Sequence, residues 1–316
     1  MAVVVFGSVN MDLVSRVPRL PQAGETLLGS GFTTTPGGKG ANQAVAAAKL
    51  GVPTWMVGRV GDDEFGRSLI QHLQTAGVDT DRILIDPSTH SGVALITVSE
   101  TGENQIVGVL GANGCVGAAD VERLKPLLKR TDTLLLQLEI TLEAVELAAQ
   151  AARQAGVRVI LDPAPVQTTH LQALYPQVDI LLPNEVEASH LVGFEVSNPT
   201  TAAAAAQVLQ AQGVATVIIK LGAQGAFCAS PASQFFVPAF AVDAVDTVAC
   251  GDAFAGGLSA ALAQGLPLET AVLWGNAAGA LAATQGGAQT AMPEYGVFEQ
   301  FLRQQGSWQV EASLYP

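Results

Sequence analysis

Short runs dominated by apolar residues alternate along the chain with longer stretches in which apolar positions recur every three to four residues. The short runs lie at residues 3–6, 54–58, 133–138, 158–162, 179–183 and 216–220. They lack a polar alternation, so they fit strands covered on both faces, as in a parallel sheet. Helical patterns occupy residues 65–76, 142–155 and 201–212, followed by Gly77, Gly156 and Gly213 where a left-handed cap belongs. An alanine run, 202–206, falls inside the third and reads as helix. This alternation predicts an α/β fold: a doubly wound, mainly parallel sheet flanked by helices, with residues 1–316 forming one domain.

Two regions break the rhythm. Residues 12–35 carry scattered Pro and Gly, and residues 91–111 hold two strand-like runs around Glu100–Asn104. Together they predict a small β-sheet lid. Apolar residues on both faces of 93–98 suit a strand that closes over a ligand on one side and meets a partner on the other; a hairpin extending the main sheet is the alternative.

With 49% apolar residues, the chain can bury a sizeable core. No apolar run reaches membrane-spanning length, and "AVVVF" after Met1 has neither the basic region nor the cleavage site of a signal peptide, so a cytoplasmic location is expected. Cys115, Cys228 and Cys250 match neither a disulfide framework nor a CxxC site and are expected to be reduced. His72, His90, His170 and His190 lack metal-ligand spacing and are assigned no chemistry. Fifteen basic against twenty-eight acidic residues give a net charge of −13, which argues against nucleic acid or an anionic membrane as partner. Any phosphate must then be held mainly by backbone N–H groups, helix N-termini and a metal ion.

Two glycine-rich segments meet that requirement. "TPGGKGANQAVAAAKLG" (35–51) fails the P-loop pattern, since Thr33 stands where the first glycine belongs and Gly40 follows Lys39 in place of Ser or Thr. It reads as a flexible turn opening a helix, suited either to an oxygen-rich ligand or to close helix–strand packing. "VDTVACGDAFAGGLSAAL" (245–262) opens a second helix at which the N–H groups of Ala249, Cys250, Gly251 and Asp252 converge as an anion hole. Asp252 is a candidate general base there, or an ordinary stabiliser of the helix start. A dinucleotide fold is not indicated, because "VVVFGSVNMD" lacks G-x-G-x-x-G.

In order along the chain stand "GSVNMD", "PGGKGANQAVAAAKLG", "VGRVGDDEFG", "LLLQLE", "LDPAP", "NEVE", "KLGAQGA", "DTVACGDAF" and "GGAQTAMP". By these nine segments the chain resembles the ribokinase family of sugar kinases over nearly its whole length. The resemblance implies ATP-dependent phosphorylation of D-ribose at O5, with fructose, 2-keto-3-deoxygluconate or a nucleoside as alternative acceptors within the family; a silent sugar-binding regulator is the reading from another class. It makes "GGKGAN" a sugar loop and "ACGD" the phosphate loop. Asn10, Asp12, Gly38, Lys39, Asn42 and Glu139 would bind sugar hydroxyls, and Asp252 would deprotonate the primary hydroxyl. Asn184, Lys220, Gly222, Gly225, Gly251 and Asn276 would line the nucleotide, with Glu187 organising hydrated magnesium. A monovalent cation, potassium, would lie among Asp246, Val248, Ala282, Gln285, Gly287 and Ala291. The resemblance also implies a homodimer joined through the lid.

Three positions depart from the family pattern: Ala291 lacks the hydroxyl of a serine often found there, Cys250 replaces a common alanine, and Lys220 replaces the threonine of some members. For Cys250, the helix dipole is expected to outweigh the neighbouring carboxylate and lower the thiol pKa modestly.

Overall fold

The computed structural model describes residues 2–166, 171–305 and 311–312. In chain order the strands are β1 (Val3–Phe6), β2 (Asn10–Val17), β3 (Gly31–Gly37), β4 (Thr54–Gly61), β5 (Val78–Asp86), β6 (Gly92–Ser99) and β7 (Asn104–Val109). They continue as β8 (Thr133–Leu136), β9 (Arg158–Leu161), β10 (Ile180–Leu181), β11 (Thr216–Lys220), β12 (Gly225–Ala229), β13 (Gln234–Pro238) and β14 (Glu311–Ala312). The α-helices are α1 (Lys39–Lys49), α2 (Glu64–Thr75), α3 (Ala118–Leu128), α4 (Leu142–Gln154), α5 (Glu185–Val192), α6 (Pro199–Ala211), α7 (Cys250–Ala263), α8 (Leu268–Ala283) and α9 (Tyr295–Gln304).

Ten strands form the central sheet in the order β14-β13-β12-β11-β10-β9-β8-β1-β4-β5. From β11 to β5 every neighbour is parallel, while β12, β13 and β14 add an antiparallel edge. Strand geometry sends alternate side chains to opposite faces. Val3 and Val5 therefore pack with α1, α2, α7, α8 and α9, and Val4 and Phe6 with α3, α4, α5 and α6. The result is the helix–sheet–helix sandwich expected from the apolar runs.

The helices stop where the glycines predict. Gly51, Gly77, Gly156 and Gly213 all have positive φ, just after α1, α2, α4 and α6. Two strands are shorter than expected. β8 ends at Leu136, because the N–H of Leu138 turns to the carbonyl of Ala164. β10 is only Ile180–Leu181, closed off by Pro183, which has no N–H to give the ladder. These early endings free the loops at the C-terminal edge of the sheet, where ligands of open α/β sheets bind.

A separate four-stranded sheet, ordered β3-β2-β6-β7, is built from the two irregular regions, so the hairpin does not extend the main sheet. Its central pair, β2 and β6, is parallel and puts Asp12 opposite Ala94. Phe32, Leu95, Ile106 and Val107 are exposed on it.

Helices α1 and α7 approach closely through Gly256. A side chain there would collide with Ala46 and lie 2.9 Å from the backbone nitrogen of Ala47. Gly256→Val should therefore lower unfolding stability by about 2–3 kcal/mol, the range of a forced overpacking, with a matching drop in the urea midpoint. An unchanged midpoint would show that the α1–α7 contact yields without cost.

Candidate active site

The start of α1 is wedged beneath β2 by missing side chains. A Cβ on Gly37 would overlap the Asp12 carboxylate, one on Gly38 (φ 88°) would lie 2.7 Å from the Asn10 nitrogen, and one on Gly40 would lie 2.6 Å from the Ser8 nitrogen. The close packing that is one of the two readings of this loop thus rests on these three glycines. Glu139 arrives from the loop after β8. Its Oε2 accepts from Ser8 Oγ (2.6 Å), from the Lys39 N–H (3.0 Å) and, at the outer limit, from Asn10 Nδ2 (3.5 Å). Asn10 Oδ1 accepts from the buried Asn113 Nδ2 at 2.7 Å. The structure therefore gathers Asn10, Asp12, Gly38, Lys39 and Glu139 in one place.

Asp252, in the first turn of α7, is buried beside them. Its Oδ2 accepts from Asn42 Nδ2 at 2.9 Å and its Oδ1 from Gln43 Nε2 at 3.0 Å. Asn42 Oδ1 is buried with no protein partner, an acceptor left over for a ligand hydroxyl. Burial raises the Asp252 pKa; Lys39 and the two amides act against the rise, while Asp162 adds to it. Asp12 is pushed up to about 7, first by burial and then by the charges of Glu139 and Asp252. Burial alone would lower the Lys39 pKa, but Asp252, Asp162, Glu139 and Glu187 outweigh it and keep the ammonium charged.

The backbone before α7 is unusual. Ala249 adopts φ 57°, a left-handed conformation that costs a non-glycine residue about 1 kcal/mol or more and that clusters at functional sites. The N–H groups of Ala249, Gly251 and Asp252 have no acceptor among the described residues, whereas that of Cys250 makes a long bond, 3.4 Å, to the Thr247 carbonyl. Three of the four expected donors are thus available, and Cys250 is partly committed.

Beside this helix start lies a cavity of about 570 Å³. Asn184, Lys220, Gly222, Gly225, Gly251 and Asn276 all line it, together with Cys250, Phe240 and Phe254. Lys220 Nζ is paired with Asp162 Oδ1 at 3.0 Å and lies 3.5 Å from where a Cβ on Gly251 would sit. Asn276 has both amide protons committed, to the carbonyls of Val237 and Pro238, so toward a ligand it can only accept. Asn184 and Glu187 form a reciprocal capping box at α5, each bonding the other's backbone N–H at 2.8 Å. One Glu187 oxygen is thereby used and the other has no protein partner among the described residues. Burial, then Asp162, raises the Glu187 pKa.

The positions expected around a monovalent cation are drawn together by Asp246. Its Oδ1 accepts from the Val248 N–H and its Oδ2 from the Gly287 N–H, both at 3.0 Å, and its own N–H bonds the Ala283 carbonyl. Ala282 accepts from the Gln285 N–H, and Ala291 is buried. No cluster of three or more His, Cys, Asp or Glu suited to a metal occurs among the described residues, which bears on neither a carbonyl-held ion nor a largely hydrated one. His170 lies outside the described residues.

One expectation fails at Cys250. Its pKa is raised to about 11, by burial first and then by Asp246 and Asp252, so the dipole does not prevail. Four residues that sequence reasoning did not single out complete the site: Gln43, Asn113, Gln137 and Asp162. Gln43 did leave a signal, a lone buried glutamine among the alanines of α1.

The description "pfkB family carbohydrate kinase" fits residues 2–295 of this chain. The chain is 40% identical to the ribokinase of Haemophilus influenzae over 92% of its own length and 94% of that protein's. It is 36% identical to a deoxyribokinase of Salmonella typhi, covering 96% and 99% respectively. Its fold matches the structure of Arabidopsis thaliana ribokinase complexed with ribose and ATP at a TM-score of 0.88, with 32% identity and coverage of 96% and 98%. No helix among the described residues is long and apolar enough to cross a membrane.

A thiol with a pKa near 11 gains thiolate about tenfold per pH unit until that value is approached. Labelling of Cys250 by iodoacetamide, followed by peptide mass spectrometry, should keep accelerating from pH 7 to pH 10. A plateau below pH 9 would restore the dipole-activated thiol.

Proposed function

Because the chain belongs to the pfkB family of carbohydrate kinases, which transfer phosphoryl groups to an alcohol, we propose that it transfers the γ-phosphoryl group of ATP to O5 of D-ribose. The observation that carries this reading is the placement of Asp252: a buried carboxylate, held at both oxygens by amides, at a helix start whose free N–H groups adjoin a nucleotide-sized cavity. The matching structure with ribose and ATP supports the choice of both substrates.

Ribose would lie against the mouth of α1. Asp12, Glu139, Asn10 and the free Asn42 Oδ1 accept from its hydroxyls, while Lys39 and the backbone at Gly38 donate. Asp252 takes the proton from the primary hydroxyl, whose oxygen then attacks the γ-phosphorus in line. Charge on the phosphoryl oxygens is met by the Gly251 and Asp252 N–H groups and by Lys220, which relieves the shortage of basic side chains implied by the net charge. The uncommitted Glu187 oxygen, close enough to Asp162 to feel its charge, suits magnesium, an ion that binds through one or two carboxylates and keeps its waters. Magnesium supplies neutralisation of the phosphate charge. Potassium would rest largely on backbone carbonyls at Asp246, Val248, Ala282, Gln285, Gly287 and Ala291, positions that the Asp246 carboxylate ties together.

The four-stranded sheet acts as a lid over the sugar, and its exposed Phe32, Leu95 and Val107, which share the face opposite Asp12, offer an apolar surface for a homodimer. A cytoplasmic setting, which supplies ATP, suits the reaction. The similarity to a deoxyribokinase makes 2-deoxyribose the second reading.

In a panel of ribose, 2-deoxyribose, fructose, 2-keto-3-deoxygluconate and adenosine, ribose should lead in kcat/KM by at least about tenfold, because a missing hydroxyl leaves site groups unpaired. If another acceptor leads, the ribose assignment is wrong; ATP turnover excludes the silent regulator, and its absence with every acceptor would favour it. Asp252→Asn should cut kcat by roughly 10²- to 10⁴-fold with ribose affinity little changed. Near-normal kcat in that variant would remove the base. Asp12, protonated below about pH 7, becomes a stronger hydroxyl acceptor as pH rises through that value. The ribose KM should thus be roughly fivefold to tenfold higher at pH 6 than at pH 8. Asp12→Asn should flatten that dependence, and an identical slope in the variant would locate the titrating group elsewhere.

A further inference from the structure

Asp252 is not held by sugar-site residues alone. Gln43, one residue beyond Asn42 on α1, is fully buried and points its amide into a ring of polar side chains. Its Nε2 donates to Asp252 Oδ1 at 3.0 Å and to Asp162 Oδ2 at 2.8 Å. Its Oε1 accepts from Gln137 Nε2 at 2.6 Å. With carboxylates on both sides of the nitrogen and an amide donor at the oxygen, only one orientation of this amide satisfies all three contacts. Asp162 is fixed in turn by Lys220 Nζ at 3.0 Å. The backbone accommodates the arrangement, since a side chain at Gly7 would overlap Gln137 Oε1.

We propose that Gln43 is the positioning residue of Asp252: it locks the carboxylate rotamer and screens it from Asp162, and so presents the base to the sugar hydroxyl. The inference rests on the reading of Asp252 as base. Held by Asn42 alone, a buried carboxylate beside a second one is able to pivot about that single bond, to take up a proton or to turn toward Lys39. One NH2 group with a proton for each carboxylate prevents all three. Gln43 need not touch the substrate, so its effect belongs in kcat and not in sugar binding.

The test uses Gln43→Met, close in volume but without donors, in the full-length protein. We expect kcat to fall about 10- to 100-fold, with ribose affinity by calorimetry and KM for ATP within threefold of wild type. Retained ribose binding verifies the fold. In Gln43→Met/Asp252→Asn, kcat should match Asp252→Asn alone within threefold, because a residue acting only through Asp252 has nothing left to position. Should the methionine variant not fold, Gln43→Glu keeps the shape and the acceptor for Gln137. Its carboxyl can donate only while protonated, set among Asp162, Asp252, Lys39 and Lys220, so its activity relative to wild type should decline from pH 6 to pH 8. An unchanged kcat in Gln43→Met, a full additional loss in the double variant, or a flat activity ratio for Gln43→Glu would overturn the proposal. These outcomes are separable from failure of the base itself: if Asp252→Asn turns over normally, the base reading falls, and if Asp252→Asn is impaired while Gln43→Met is not, only the positioning role falls.

Discussion

The burial of the Asp252 carboxylate between α1 and α7 is the constraint around which the rest of the structure is arranged. A carboxylate removed from water persists as an anion only with hydrogen-bond donors and a cation close by. All three protein groups that meet this need, Lys39, Asn42 and Gln43, lie within the first two turns of α1. They reach Asp252 because glycines let α1 press against the start of β2 on one side and against Gly256 of α7 on the other. Small residues in these two helices thus serve the chemistry by setting the distance between them.

The same packing explains how a strongly acidic protein can handle phosphate. Of its fifteen basic residues, Lys39 and Lys220 stand at the site, Lys39 kept charged by the carboxylates around it and Lys220 held by Asp162. Lys220 lines the cavity, 3.5 Å from where a Cβ on Gly251 at the start of α7 would sit, and Lys39 is close enough to Asp252 and Glu139 to feel their charges. Ala249 accepts an unfavourable backbone conformation at the entry to that helix. Such strain is consistent with a loop shaped by its ligand and not by its own stability.

Much of this was legible in the sequence, for definite reasons. Apolar runs and terminal glycines mark β1, β8, β11, α2, α4 and α6 because strand burial and left-handed caps are local requirements. The β12–β13 edge was missed, since a short antiparallel pair lacks the strand–helix alternation on which the reading relied. At the site, residues that touch solvent-facing loops stood out by type, whereas Gln43 and Asp162 became meaningful only through contacts spanning 119 and 209 positions. Neither spacing nor composition encodes such pairings. Asn184 and Glu187 were read for phosphate and magnesium, yet their visible work is to cap α5, a local task that the same N-x-x-E spacing serves. The raised thiol pKa of Cys250 is not legible in the sequence, because burial depends on what the rest of the chain places over the sulfur.

Catalysis by Asp252 requires the primary hydroxyl of the acceptor sugar to lie beside its carboxylate. The most direct measurement is a crystal structure of this protein with ribose and a non-hydrolysable ATP analogue. It should place the primary hydroxyl oxygen within about 2.6–3.2 Å of an Asp252 oxygen, on the line to the γ-phosphorus, with ring hydroxyls on Asp12 and Asn42. A ribose bound with another hydroxyl at Asp252, or bound away from the mouth of α1, would contradict it.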